Sequence, residues 1–182
     1  MTLTADLDAT TATGREPTRP WFTIEHRVTA GDTSAVGPVY YARLIDWQGQ
    51  CRERCGQFGA PIFSSDISGD YIMLTQSCSC EYLAELWFGD LVAIRLTVLW
   101  VRMTLMKAEF RYHRITAPGA PDGDLVARGE QMWASARLAG DHYEPCPWPR
   151  ELADCAAAFG ADLSRAQIDD SSNQPAPERI PR

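Results

Sequence analysis

The sequence predicts an α+β fold, an antiparallel sheet wrapped around one long helix, and three observations carry that expectation. Apolar residues recur at offsets of three and four through residues 39–58, the spacing of one helical face. Long runs rich in β-branched and aromatic residues follow at 71–82, 91–104, 105–116 and 125–138. Turn residues separate most of these runs, including Gly89 and the Pro/Gly/Asp stretch 117–124. Consecutive hairpin-linked strands favour antiparallel pairing, and closing such a sheet around a single amphipathic helix buries the helix's apolar stripe.

Taken in order, residues 21–29 (WFTIEHRVT) alternate apolar and polar, as a half-buried strand does. GDTSAVGP follows as a loop, and Pro38 stands where a first helical residue belongs, its missing N–H being harmless there. The helix stripe is Val39, Tyr40, Leu44, Trp47, Cys51 and Cys55. Gly56, Gly59 and Pro61 mark its end. Near Thr104 the chain either turns or continues as one bent strand. A short helix over 149–159 reads as a packing appendage. Residues 1–19 and 161–182 are too polar to offset the entropy of ordering, so they read as flexible arms around one domain, residues 20–160.

Composition narrows the function classes. The 182 residues are 45% hydrophobic and 23% charged, enough for one globular core. Seventeen Lys+Arg against 24 Asp+Glu give a net charge of -7, which excludes a nucleic-acid footprint over the domain. The longest apolar stretch, 91–105, is broken by Arg95 and Arg102 and is too short to span a membrane. The first residues lack the apolar run of a secretion signal, so the cytoplasm is the expected compartment. Six cysteines are expected as thiols, and with three histidines and no CxxC neither a metal nor a cofactor is expected. There is no GxSxG nucleophile elbow, phosphate loop or dinucleotide glycine pattern.

The stretch GDTSAVGPVYYARLIDWQGQCRE, 31–53, resembles the signature of hotdog-fold acyl-thioesterases of the 4-hydroxybenzoyl-CoA thioesterase type. The Val39-Tyr40-Tyr41 element followed by Trp47-Gln48-Gly49-x-Cys51-Arg52-Glu53, with ARGEQ at 127–131, is more similar to the thioesterases of enediyne polyketide pathways. The resemblance covers roughly residues 22–140. It departs at two places. Ser34 stands where the general family has a catalytic carboxylate and the enediyne branch an Asn, and Pro38 where the branch has an Asn.

The resemblance implies hydrolysis of a polyketide thioester, polyene or β-ketoacyl, on an acyl carrier protein or polyketide synthase carrier domain. It also implies a homodimer or homotetramer with sites between subunits. A cyclase, or a carrier-binding protein without chemistry, stands as the alternative on the same fold. With no acid side chain at position 34, the backbone amides of Val39 and Tyr40 at the helix start are the expected oxyanion donors. Water would attack. Ser34 holds that water or the carbonyl, or is a plain loop hydroxyl. Asp32 serves as general base if it points inward, and otherwise caps the loop. Arg52 matches the functional arginine of the enediyne branch and binds a substrate oxygen, or forms an ion pair with Glu53 or Glu81. Tyr41, Trp47, Met73 and Trp133 are the expected acyl-binding surface, against the plainer reading of core packing. Glu130 reads as a solvated strand carboxylate.

Overall fold

The structure, a computed structural model, describes residues 20–59 and 71–170 together with the short strand β1 (Ala5–Asp6). The elements that follow are β2 (Trp21–Arg27), α1 (Ala42–Gly59), β3 (Tyr71–Tyr82), β4 (Leu91–Met103), β5 (Leu105–Ile115) and β6 (Leu125–Ala139). The chain continues through β7 (His142–Pro145), β8 (Trp148–Pro149), α2 (Arg150–Ala158), β9 (Asp162–Ala166) and β10 (Ile168–Asp169). The main sheet runs β1-β2-β4-β5-β6-β3 with antiparallel neighbours; β7 pairs with β6, and β9 lies parallel to β4.

One face of this sheet curves over α1. Phe22, Ile24, Ile94, Leu96, Phe110 and Val126 point inward at every second residue and meet Leu44, Trp47, Cys51 and Cys55 of the helix stripe. Each such burial contributes about 1.5–3 kcal/mol. Polar ties fix how the helix sits. The Tyr112 hydroxyl donates to the Leu44 carbonyl at 2.6 Å, and the buried Gln48 amide donates to the Ser79 carbonyl at 3.0 Å. Gln131 Nε2 donates to Gln48 Oε1 at 3.0 Å, and Trp133 Nε1 donates to Gln131 Oε1 at 2.6 Å. The opposite face is charged; Lys107 and Glu130, for example, pair at 2.9 Å, so Glu130 is a surface carboxylate.

The helix begins three residues later than the sequence predicts. Gly37 takes φ 113 beneath the Trp87 ring, and Ser34 and Pro38 close a small loop through Ser34 N–H to Pro38 O at 2.8 Å. Val39 then bridges to Thr33 as a strand would. Pro38 therefore ends a loop and does not open the helix. At Thr104 the chain turns: Arg102 pairs with Leu105, and Met103 sits at φ 50.

Residues 161–170, expected in the tail, form β9 and β10. Their side chains are exposed or only half buried; backbone pairing with β4 and β8 orders them, together with Ala161, Leu163 and Ala166 packed on the edge of the core. The other expected arm residues, 1–19 apart from β1 and 171–182, lie outside the described residues. Among the described residues no helix is long and apolar enough to cross a membrane.

Candidate active site

The loop before α1 is organised by Asp32. Its Oδ2 accepts hydrogen bonds from Thr29 N at 2.8 Å and Thr29 Oγ1 at 2.6 Å, and His26 Nε2 lies 3.1 Å away. Burial pushes this carboxyl's pKa up, but the Thr29 and His26 bonds outweigh it and hold the pKa below the ordinary value. Asp32 Oδ2 therefore clamps the loop, the capping role that the sequence left open beside that of a general base.

Asp32→Asn keeps an acceptor for Thr29 and is expected to leave kcat within about threefold, whereas loss of a general base costs about 100-fold or more. Because the folded pKa is depressed, the stability Asp32 supplies is complete above its unfolded pKa and is lost as pH falls through the folded value. Thermal unfolding between neutral pH and about pH 3 should show a steeper acid loss in the parent than in the variant.

The expected oxyanion donors are also corrected. Val39 N–H is bonded to the Leu86 carbonyl at 2.8 Å and Tyr40 N–H to the Asp32 carbonyl at 2.9 Å, so neither faces a ligand. The sequence predicts both as helix-end amides, and the later helix start leaves them in the loop. At the true head of α1 the amides of Tyr41 and Ala42 have no hydrogen-bond partner among the described residues. Beside them stand the exposed rings of Tyr40 and Tyr41, 4.6 Å apart, and Tyr82, whose hydroxyl donates to the Tyr41 carbonyl at 3.0 Å. Ser34 Oγ is buried and has no partner among the described residues.

Further along α1, Arg52 reaches a cavity of about 40 Å³ that it shares with Met73 and Trp133. Its Nη1 donates to Thr75 Oγ1 at 2.6 Å, and its guanidinium carbon lies 5.9 Å from the Trp133 ring centroid. Nε is buried with no acceptor among the described residues. Burial lowers the Arg52 pKa, opposed by nearby Glu53. Within the chain, Glu81 pairs with Arg128.

Trp47, expected on the acyl surface, is 1% exposed and packed on His26 with ring centroids 4.4 Å apart. It is a core residue. Sequence reasoning missed Thr75, Leu152 and Ala156; the last two are four apart on α2, a spacing that could have flagged one face of a helix.

Comparison with known proteins decides what this arrangement belongs to: residues 28–155 match the thioesterase-like superfamily. The chain is a member of that superfamily. Its fold is the hotdog fold, and the chain is a thioesterase-like hydrolase. A 1,4-dihydroxy-2-naphthoyl-CoA hydrolase of Synechococcus sp. (strain RCC307) is 28% identical over 122 residues, 64% of this chain and 88% of that protein. The solved dynemicin thioesterase, described in connection with polyene binding, superposes with TM-score 0.72 at 29% identity and covers 78% of this chain and 98% of its own. A 4-hydroxybenzoyl-CoA thioesterase superposes with TM-score 0.65 at 17% identity, covering 75% and 98%, a likeness of fold alone. Within this superfamily member the loop amides and the Arg52 cavity are separate features, since ten residues of α1 at 1.5 Å each place them about 15 Å apart.

Proposed function

We propose that this thioesterase-like enzyme hydrolyses the thioester of a β-ketoacyl or polyene polyketide chain carried on an acyl carrier protein, in secondary metabolism. The observation that carries the reading is Arg52, a guanidinium in an otherwise apolar cavity, stacked on Trp133 with a buried Nε lacking an acceptor. A chain bearing keto oxygens or conjugated double bonds supplies what that group lacks, a hydrogen-bond acceptor or π electrons. The likeness to the dynemicin thioesterase and the WQGxCRE run support the same substrate class.

In this reading the amides of Tyr41 and Ala42, at the positive end of α1, receive the thioester carbonyl and stabilise the oxyanion as water adds to it. Ser34 Oγ holds the water. When the tetrahedral intermediate collapses, the C–S bond breaks and the carrier thiol leaves with a proton. A thioester is activated enough for such a site to work without a nucleophilic side chain.

A second copy of the chain pairs along β3, whose outer edge has no strand neighbour among the described residues and whose side chains are largely exposed. Such a homodimer brings the amide end of one copy toward surfaces of the other.

The test is product analysis with a carrier-bound β-ketoacyl substrate. Free acid, or the methyl ketone formed from it by loss of CO2, supports hydrolysis. A ring identifies a cyclase, and unchanged thioester a binding protein, and either result overturns the proposal. Arg52→Met is expected to lower kcat/KM about 10- to 100-fold, the worth of a charge-assisted hydrogen bond, while leaving thermal stability unchanged or raising it. The rise has a physical cause: a partly desolvated charge leaves an apolar cavity and a side chain of similar length fills it.

A further inference from the structure

The Arg52 cavity is closed on one side by α2, a helix on which the hydrolytic reading places no role. Leu152, Cys155 and Ala156 of α2 face Arg52, Cys55 and Gly56 of α1 across it, with the inner face of the sheet as the third wall. Leu152 and Ala156 are buried and one helical turn apart, so they present a single apolar surface to the cavity. The helix is held in place at several points. The Phe159 carbonyl at its end accepts from Thr97 Oγ1 at 2.9 Å and Val98 N at 3.3 Å, and the Phe159 ring packs edge-on to Phe22 at 5.9 Å. Arg150 at its start bonds Asp170, and Cys155 lines the cavity beside Cys55 of α1.

A cavity of about 40 Å³ is small beside the several hundred Å³ of a pocket that encloses a whole small-molecule ligand. It ends an acyl chain and does not contain one. The superfamily match stops at residue 155, within α2, and the segment that follows pairs with β4.

We propose that α2 is the end wall of the acyl pocket and that Leu152 and Ala156 determine the longest acyl chain the enzyme accepts. The inference rests on the thioesterase reading for its substrate class. The chain it fits carries an acceptor oxygen or a double bond near Arg52 and an apolar terminus against Leu152 and Ala156. Nothing on the α2 side of the cavity offers a charge to a polar terminus, and apolar walls discriminate chains by the methylene.

The experiment measures kcat/KM over a graded series of straight-chain polyenoyl pantetheine thioesters, whose double bonds run along the chain to Arg52, with the fold of each variant checked by thermal unfolding. Leu152→Ala removes three carbons from the wall. It is expected to raise kcat/KM about tenfold for chains roughly two methylenes beyond the parent's optimum. Ala156→Leu is expected to lower kcat/KM about tenfold at the parent's optimum and to move the optimum to shorter chains. Ala157→Leu, the same change on the exposed side of α2, should reproduce the parent's profile. If Ala156→Leu is too crowded to fold, Leu152→Ala decides alone. Profiles of the folded wall variants that overlie the parent's would overturn the inference, as would an Ala157→Leu profile shifted as far as theirs.

The thioesterase reading can fail separately. If the parent hydrolyses none of the series, calorimetric Kd values for the matching acyl-pantetheine amides are the readout. A chain-length limit that lengthens in Leu152→Ala then supports the end wall, and one that does not move overturns it.

Discussion

Ala42→Pro is expected to lower kcat for thioester hydrolysis about 100- to 1,000-fold, the cost of one oxyanion donor in other enzymes, with a much smaller change in stability. The substitution removes one hydrogen. Ala42 is the first residue of α1, where proline's fixed φ suits the helix and its missing N–H breaks no internal bond, because that amide has no partner among the described residues. Proline also biases Tyr41 toward extended conformations, so Ala42→Gly serves as the comparison: it loosens the same backbone and keeps the N–H. Single-turnover rates, with circular dichroism and Tm for each variant, separate the two effects. A proline variant that is folded and turns over at the parent rate means the carbonyl is held elsewhere. Equal losses in both variants mean loop geometry, and not the donor, was lost.

Gly129→Ala is expected to destabilise the fold by about 3 kcal/mol or more, a Tm fall of roughly 6–12 °C for a domain of this size, or to prevent folding. A Cβ there would lie 2.2 Å from Gln48 Nε2 and 2.5 Å from the Ser79 carbonyl oxygen. Retreat of Gln48 breaks its bonds to Ser79 and Gln131, leaving buried polar groups unpaired at about 1–3 kcal/mol each. The carbonyl belongs to the backbone of β3 and cannot move without disturbing the β3–β6 ladder. Adding Gln48→Ala should therefore recover only part of the loss. A Gly129→Ala protein with the parent's Tm would mean that strands β3 and β6 part easily, contrary to the packing described here.

These two sites also show how differently residues disclose themselves. The strands were legible because turn residues such as Gly89 and the 117–124 stretch bound long extended runs, and β3 to β6 fall within a residue of the expected bounds. The helix stripe was legible from its offsets of three and four: Leu44, Trp47, Cys51 and Cys55 all lie in the core. Arg52, Met73 and Trp133 were named from the motif and from their chemistry, and they meet in one cavity although Trp133 is far along the chain from Arg52. Gln48 stood in the same motif. That it is buried depends on Gln131, 83 residues away, and no local pattern carries that pairing.

The helix start misled for an instructive reason. Pro38 has the right chemistry for a first helical position, but the Val39 amide is claimed by the Leu86 carbonyl and Gly37 fits beneath Trp87. Both partners come from the β3–β4 connection, so the choice between loop and helix is made by tertiary contacts. The displacement is small in sequence and large in chemistry, because it moves the unpartnered amides from Val39 and Tyr40 to Tyr41 and Ala42. Asp32 illustrates the same point: its type fits a base or a cap equally, and only the assembled loop gathers Thr29 and His26 on its Oδ2.

The amino-acid order alone determined the fold class, the helix stripe, the long strands and the residue types at the Arg52 cavity, since periodicity and motif spacing are local properties of the chain. Only the tertiary structure decided which amides stay unpaired, that Trp47 is core, and that a C-terminal helix closes the cavity. Those outcomes depend on hydrogen bonds and packing between segments distant in sequence, where each group's partner is set by the assembled sheet and not by its neighbours along the chain.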